Sequence, residues 1–117
     1  MNTKDLDILS HILEYCGQIN ETRNEFDNSK ERFLESATFR NAVCLCLLQI
    51  GELVNVLSDD FKKNNSMVQW REIKLLRNIV AHRYGQIDFD IVWDICLTDI
   101  PEIIDFCTRI INEETEG

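Results

Sequence analysis

The sequence predicts an all-α protein, and three observations lead there. The chain has one proline and four glycines. No stretch alternates apolar and polar residues as a half-buried strand must, and the apolar residues instead return at intervals of three and four over long segments. At 117 residues it fits a single domain, 1–117, and buries roughly two-thirds of its unfolded surface.

The elements follow in order. Leu6, Leu9, Leu13 and Cys16, with Ile12 and Ile19 alongside, predict an amphipathic helix from about residue 3 to about residue 26. Asp27-Asn28-Ser29-Lys30 has turn composition. From about Ser36 to Asp59 the set Phe39, Val43, Cys46, Leu47, Ile50, Val54 and Leu57 keeps helical spacing, and Ala42, Leu45, Leu48 and Leu53 widen the stripe. This is expected to be the longest and most buried helix. Gly51 inside it costs about 1 kcal/mol relative to alanine, which points to a close helix crossing. Lys62 to Ser66 reads as a polar loop, and Trp70 opens a third helix through Ile73, Leu76 and Val80. Gly85 stands where that helix needs a left-handed stop. Asp88 or Asp90 caps the last helix, in which Ile91, Ile95, Ile103, Phe106 and Ile110 are expected to face inward. Pro101 either kinks that helix or starts a fresh one with Asp99 as N-cap. Glu113-Glu114-Thr115-Glu116 falls in an expected frayed acidic tail, 112–117.

Composition excludes several classes of function. No apolar run approaches the roughly 20 residues of a membrane span, and Met1-Asn2-Thr3-Lys4-Asp5 lacks the basic, apolar character of a signal peptide. A cytoplasmic protein with no membrane partner is expected. The five cysteines, Cys16, Cys44, Cys46, Cys96 and Cys107, then read as reduced thiols packed as small hydrophobes. Cys44 and Cys46 stand two apart and point to different sides of a helix, so no shared metal is expected, and no cofactor. A formal charge of -9 opposes generic nucleic-acid binding. The charge is uneven, however. Between residues 62 and 83, Lys62, Lys63, Arg71, Lys74, Arg77 and Arg83 face Glu72 alone, a local +5 that leaves -14 elsewhere. A basic segment in an acidic protein focuses an anionic ligand onto one place; the same charges also suit a solvated helix face and a cationic helix end.

The residues with the most chemistry lie in that segment: Arg77-Asn78-Ile79-Val80-Ala81-His82, then Arg83-Tyr84-Gly85. Metal-free cleavage of RNA needs a base for the ribose 2′-hydroxyl, an acid for the departing 5′-oxygen and a cation on the crowded phosphorane. Imidazole titrates near neutrality and serves either proton role. Arginine brings a charge it cannot lose and a fork that matches phosphate oxygens. Arg71, Lys74 and Arg83 are candidate contacts to phosphate. On a straight helix Asn78 and His82 share a face, and Arg77 nearly eclipses Tyr84, but Arg77 and His82 lie about 140° apart. Either the helix ends near Ala81 and the chain bends, or the site is completed across a symmetric dimer. His11 lies on a scaffold helix, so a second imidazole has to come from another copy of His82; otherwise one His82 acts with water or with Tyr84. Taken singly, the same residues have plainer roles: a histidine that satisfies a helix end, an arginine in a surface ion pair, a tyrosine at a core edge.

The chain is similar to the HEPN superfamily, and more closely to the HepT toxins, over about residues 36 to 107. The resemblance rests on Leu47-Leu48-Gln49-Ile50-Gly51-Glu52-Leu53, on Trp70 followed by Ile73, on Arg77-Asn78 with His82-x-Tyr84, and on Asp88, Val92-Trp93 and Asp99-Ile100-Pro101. It implies an antiparallel bundle of four to five helices in a symmetric homodimer whose motifs line a shared cleft. It also implies metal-independent endoribonuclease activity as the toxin of a toxin-antitoxin pair. The implied partner is a minimal, MntA-like nucleotidyltransferase antitoxin that moves AMP from ATP onto the motif tyrosine. Carried onto this chain, Arg77 and His82 become the catalytic pair, Asn78 a positioning group and Tyr84 the acceptor of AMP. The chain departs from the pattern at Leu75-Leu76, where a smaller residue is usual, and at Arg83, where an acidic or small one is. A non-catalytic HEPN module that binds a nucleotide or a nucleotidyltransferase is the alternative.

Overall fold

In a computed structural model, residues 2–68 and 86–116 are described. They form five helices: α1 (Thr3–Glu25), α2 (Lys30–Glu35), α3 (Ala37–Val56), α4 (Asp59–Asn64) and α5 (Phe89–Glu116). No strand occurs among the described residues, and the all-α expectation holds.

α1 is the hub. It packs most extensively on α3 and next on α5, while the short α2 lies across α3 and α5. Both large contacts are antiparallel: the first turn of α1 meets the end of α3 through Asp5 and Ser58, and its last turn meets the start of α5 through Arg23 and the Cys96 carbonyl. α5, with 28 residues, is about 42 Å long at 1.5 Å per residue, close to the molecule's longest dimension of 45 Å.

Each helix begins where its sequence supplies an acceptor. Asn2 accepts from the Asp5 amide, Ser29 from Arg32, Ser36 from Phe39 and Ser58 from Phe61, each satisfying an amide that the first turn leaves without a helical partner. Asp88 accepts from the Asp90 amide at the head of α5. Between α1 and α2, Asp27 (φ 60°) and Asn28 (φ 52°) turn left-handed, a conformation that short polar side chains tolerate. Arg23 steadies Asn28 through Nε at 3.0 Å, and Arg32 holds the Asp27 carboxylate.

Leu9, Ile12, Cys16 and Ile19 of α1, Phe39, Val43, Leu47 and Ile50 of α3, and Val92, Cys96, Ile100 and Cys107 of α5 form one buried core. At the end where α5 begins, the core is aromatic. Phe33 from α2 sits edge-on to Phe39 at 5.0 Å and beside Trp93 at 5.3 Å, and Phe26 stacks on Phe39 at 4.4 Å. Arg40 closes that end: its Nη1 donates to the Phe33 and Leu34 carbonyls of the last turn of α2, and its guanidinium lies 4.9 Å over Phe89.

Several boundaries differ from expectation. α3 stops at Val56 because Leu57 and Ser58 are extended (ψ 144° and 151°); the backbone there turns to offer Ser58 to Asp5. Lys62 and Lys63, expected in a loop, end α4, where Asp59 and Asp60 stand in the first turn and the charges complement the helix dipole at both ends. α2 was not foreseen. In α5 the inward face is Val92, Trp93, Cys96, Ile100, Ile103, Phe106 and Cys107. Ile91, about 140° around the helix from Cys96, is 54% exposed, while Ile95 and Ile110 are half-buried. Pro101 is exposed within one continuous helix, so no new helix starts at Asp99. The same helix runs through the segment expected as a frayed tail, to Glu116. Among the described residues one helix, α3, is with its 20 residues long and apolar enough to cross a membrane by length and composition. Here its apolar face is the core contact with α1, and it includes Arg40 and Glu52.

Candidate functional site

All of the residues to which the sequence assigns chemistry, Arg71, Lys74, Arg77, Asn78, His82, Arg83 and Tyr84, lie outside the described residues, as do Trp70, the third helix and the Gly85 stop. What the structure supplies is the frame around this segment, residues 69–85, and the two attachments that lead into it.

The first attachment starts at Asp5, the buried charged residue of the described core at 2% exposure. Its carboxylate accepts from the Ser58 amide at 2.9 Å and from the Ser58 hydroxyl at 2.6 Å. A buried carboxylate demands such donors, since leaving it unpaired costs several kcal/mol. The Ser58 Oγ in turn accepts from the Phe61 amide at 3.1 Å. Phe61 is buried against Phe106 with ring centroids 6.2 Å apart. Its carbonyl accepts from Asn65 Nδ2 at 2.9 Å, and the Asn65 carbonyl accepts from the Val68 amide at 3.2 Å. Val68 packs partly against the core, and the motif segment follows it.

The second attachment is the head of α5. Ile87 and Phe89 lean on the core, Phe89 is edge-on to Phe33 at 6.1 Å, and the Asp88 carbonyl accepts from the Ile91 and Val92 amides. The two attachments sit at opposite ends of α1, one beside Asp5 and the other beside the aromatic group. Among the residues on which the resemblance rests, Leu47, Ile50 and Gly51 are buried on α3, Leu48, Gln49, Glu52 and Leu53 are half-buried there, and Val92, Trp93 and Ile100 are buried on α5.

Elsewhere the described residues offer little reactive chemistry. All five cysteines are free and buried, and burial pushes the Cys16, Cys96 and Cys107 thiols up from the usual 9.0 to about 12, which suppresses the thiolate that nucleophiles and metals require. No group of three His, Cys, Asp or Glu side chains among the described residues is arranged to hold a metal. His11 is exposed, with Nδ1 at 2.9 Å from the Asp7 carbonyl of its own helix, which suits the scaffold role expected of it. Sequence reasoning missed Asp5 and Ser58. The cap signature Ser58-Asp59-Asp60-Phe61 was available; the pairing of Asp5 across 53 positions left no local signal.

Comparison with known proteins bears on the same segment. A family model described as "HepT-like: Ribonuclease HepT-like" matches residues 12–110, which include the whole motif. RNase MJ1380 of Methanocaldococcus jannaschii, a name that gives its activity as inferred, is 34% identical over 95 residues, covering 81% of this chain and 85% of that one. RNase TTE0752 of Caldanaerobacter subterraneus, named on the same footing, is 31% identical over 106 residues, 91% of this chain and 93% of that one. Ribonuclease HepT of Thermococcus cleftensis, again so named by inference, is 30% identical over 103 residues, covering 88% and 92%. No solved structure shows a significant match.

Proposed function

The chain belongs to the HepT-like ribonuclease family, and from that premise we propose that it is a metal-independent endoribonuclease, the toxin of a toxin-antitoxin pair, acting through Arg77 and His82. The observation that supports this most is the family match across residues 12–110, because it spans the one segment where a fixed cation, an amide, an imidazole and a phenol stand within eight positions.

The chemistry assigns each group a task. A base takes the proton of the ribose 2′-hydroxyl, the freed oxygen attacks phosphorus, and the bond from phosphorus to the 5′-oxygen breaks as an acid protonates that oxygen. A 2′,3′-cyclic phosphate and a 5′-hydroxyl result. His82 fills one proton role and, in a homodimer, its symmetric copy the other; Arg77 neutralises the charge that builds on the phosphorane; Asn78 orients the phosphate. Arg71, Lys74 and Arg83 hold the flanking backbone.

Tyr84 is the point of control. A minimal, MntA-like nucleotidyltransferase antitoxin adenylylates it, which puts bulk and a competing phosphate beside Arg77 and His82. Induced expression tests the reading: growth arrest with loss of cellular RNA is expected, and both vanish in a folded His82→Ala variant. Arrest that survives this substitution would favour the non-catalytic HEPN module that binds a nucleotidyltransferase.

A further inference from the structure

The outer seam between α1 and α5, on the side away from α3, has an apolar floor and acidic edges. On the helical wheel Leu6, Leu13, Gly17 and Asn20 fall within about 60° of one another on α1, and so do Leu97, Ile104 and Ile111 on α5. Arg23 shows that the two stripes face the same seam: its Nη1 donates to Asn20 Oδ1 on the α1 stripe (3.4 Å) and to the Cys96 carbonyl beside Leu97 (3.3 Å). On the opposite flank of α1, Gln18 meets Cys46 of α3. Leu97 is 47% exposed, and Leu6, Leu13, Ile104 and Ile111 are half-buried. The α5 stripe therefore runs for about 21 Å from Leu97 to Ile111, at 1.5 Å per residue.

Gly17 stands midway along the α1 stripe. It lies in the interior of a helix, where glycine is less favourable than alanine, and a Cβ added to it would meet nothing within 4 Å. No neighbour within the chain calls for a bare backbone there; the close approach of a partner would. Over the second half of α5 the surface is concave, an open depression of about 640 Å³ whose lining includes Ile104, Asp105 and Thr108.

Asp7, Glu14 and Glu21, at intervals of seven, edge the α1 stripe on its solvent side, and Asp94 and Asp105 edge that of α5; all five are exposed. The cations at α5 are engaged elsewhere. Lys30 pairs with Asp90 at 2.9 Å, and Arg109 lies over the Phe106 ring at 5.6 Å.

We propose that this seam is the docking site for a helix of another protein, amphipathic and about four turns long, with an apolar stripe flanked by Lys or Arg. Charge selects the occupant. A second copy of this chain would set acidic edge against acidic edge in a molecule of net charge -9, whereas a basic helix meets apolar contact below and opposite charge on both sides. The seam is separate from the motif segment, and the inference does not depend on the ribonuclease reading.

The probe is a fluorescein-labelled helical peptide of about 18 residues with a leucine stripe flanked by lysines, compared with one that has glutamate in place of lysine; anisotropy reads binding to the full chain. The lysine peptide is expected to bind with a micromolar Kd that rises with salt, and the glutamate peptide at least about tenfold more weakly. Gly17→Gln fills the seam while improving helix propensity, and Leu97→Gln removes an exposed apolar contact. Each is expected to weaken binding about tenfold or more, with the melting temperature of Gly17→Gln kept or raised. Asp60→Asn, on α4 and outside the seam, leaves Kd unchanged. Equal binding of the two peptides, or full affinity in Gly17→Gln, or a loss in Asp60→Asn as large as in Leu97→Gln, overturns the proposal. So does a dimer of the free protein that Gly17→Gln dissociates in sedimentation, which gives the seam to a second copy. Faster amide exchange over 69–85 in Gly17→Gln gives it to the chain's own basic segment and overturns the proposal as well.

Discussion

Tyr84 is the residue at which regulation and catalysis meet in the proposed function, because AMP on a phenol two positions from His82 in sequence adds bulk and a phosphate charge that compete with RNA for the motif cations. Incubation of the protein with an MntA-like nucleotidyltransferase, the antitoxin proposed above, and ATP is expected to raise the intact mass by one or more AMP residues and to silence RNA cleavage. A mass gain that persists in Tyr84→Phe would move the modification elsewhere. The buried thiols give a second prediction at this scale. Burial raises Cys16, Cys96 and Cys107 from the usual 9.0 to about 12 in the folded chain, while the unfolded chain ionises near the usual value. The folded state therefore keeps its full thiol contribution below about pH 9 and loses it as the pH rises toward 12, since the unfolded state then binds fewer protons. Denaturant midpoints should fall steadily over that window. A Cys16→Ala, Cys96→Ala, Cys107→Ala triple variant, if folded, should show a shallower fall. In the native wild type, thiol reagents at neutral pH should label none of the five cysteines on the timescale on which the unfolded chain labels fully.

Among the elements, α2 does more than its six residues suggest. It brings Phe33, fully buried, between Phe39 and Trp93, and its last turn is closed by Arg40. Phe33→Ala is expected to destabilise the fold by about 3–5 kcal/mol through lost burial and the cavity left behind, measured by urea unfolding; a loss under about 1 kcal/mol would mean that the aromatic group closes over the gap. The same element shows what the sequence could and could not say. Periodicity found α1 almost to the residue, because Leu9, Ile12, Cys16 and Ile19 repeat over more than two turns. It could not find α2, since a helix of this length has too few turns for a period and exists because Phe33 has a core to enter. In α5 the neighbouring isoleucines drew the inward face toward Ile91, whereas the buried set is fixed by Trp93 and Cys96, which share the space beneath Arg23 and beside α1. The end of α3 depended on a partner 53 positions away, which no local pattern records. The motif was legible because it gathers one of only two histidines and one of only two tyrosines beside an arginine and an amide, and its chemistry follows from side-chain identity; the relative placement of Arg77 and His82 is not determined by spacing alone.

For the whole molecule, the uneven charge bears on the proposed contact with RNA. Between residues 69 and 85, Arg71, Lys74, Arg77 and Arg83 face only Glu72, and the remaining residues carry an excess of acid. On the proposed function, phosphate contact concentrates on the motif segment, and binding should weaken with salt in proportion to a few contacts. Lys74→Ala is expected to lower the slope of log affinity against log salt by about one unit while leaving the fold intact. An affinity for RNA that ignores salt would remove these cations from the interface. The account as a whole is tested most directly by incubating purified protein with end-labelled RNA in the presence of a chelator and comparing the wild type with His82→Ala and Arg77→Ala. The wild type should release fragments ending in 2′,3′-cyclic phosphate, and each folded variant should be slower by about a hundredfold or more; cleavage by folded His82→Ala at the wild-type rate, or no cleavage by the unmodified wild type, would contradict it.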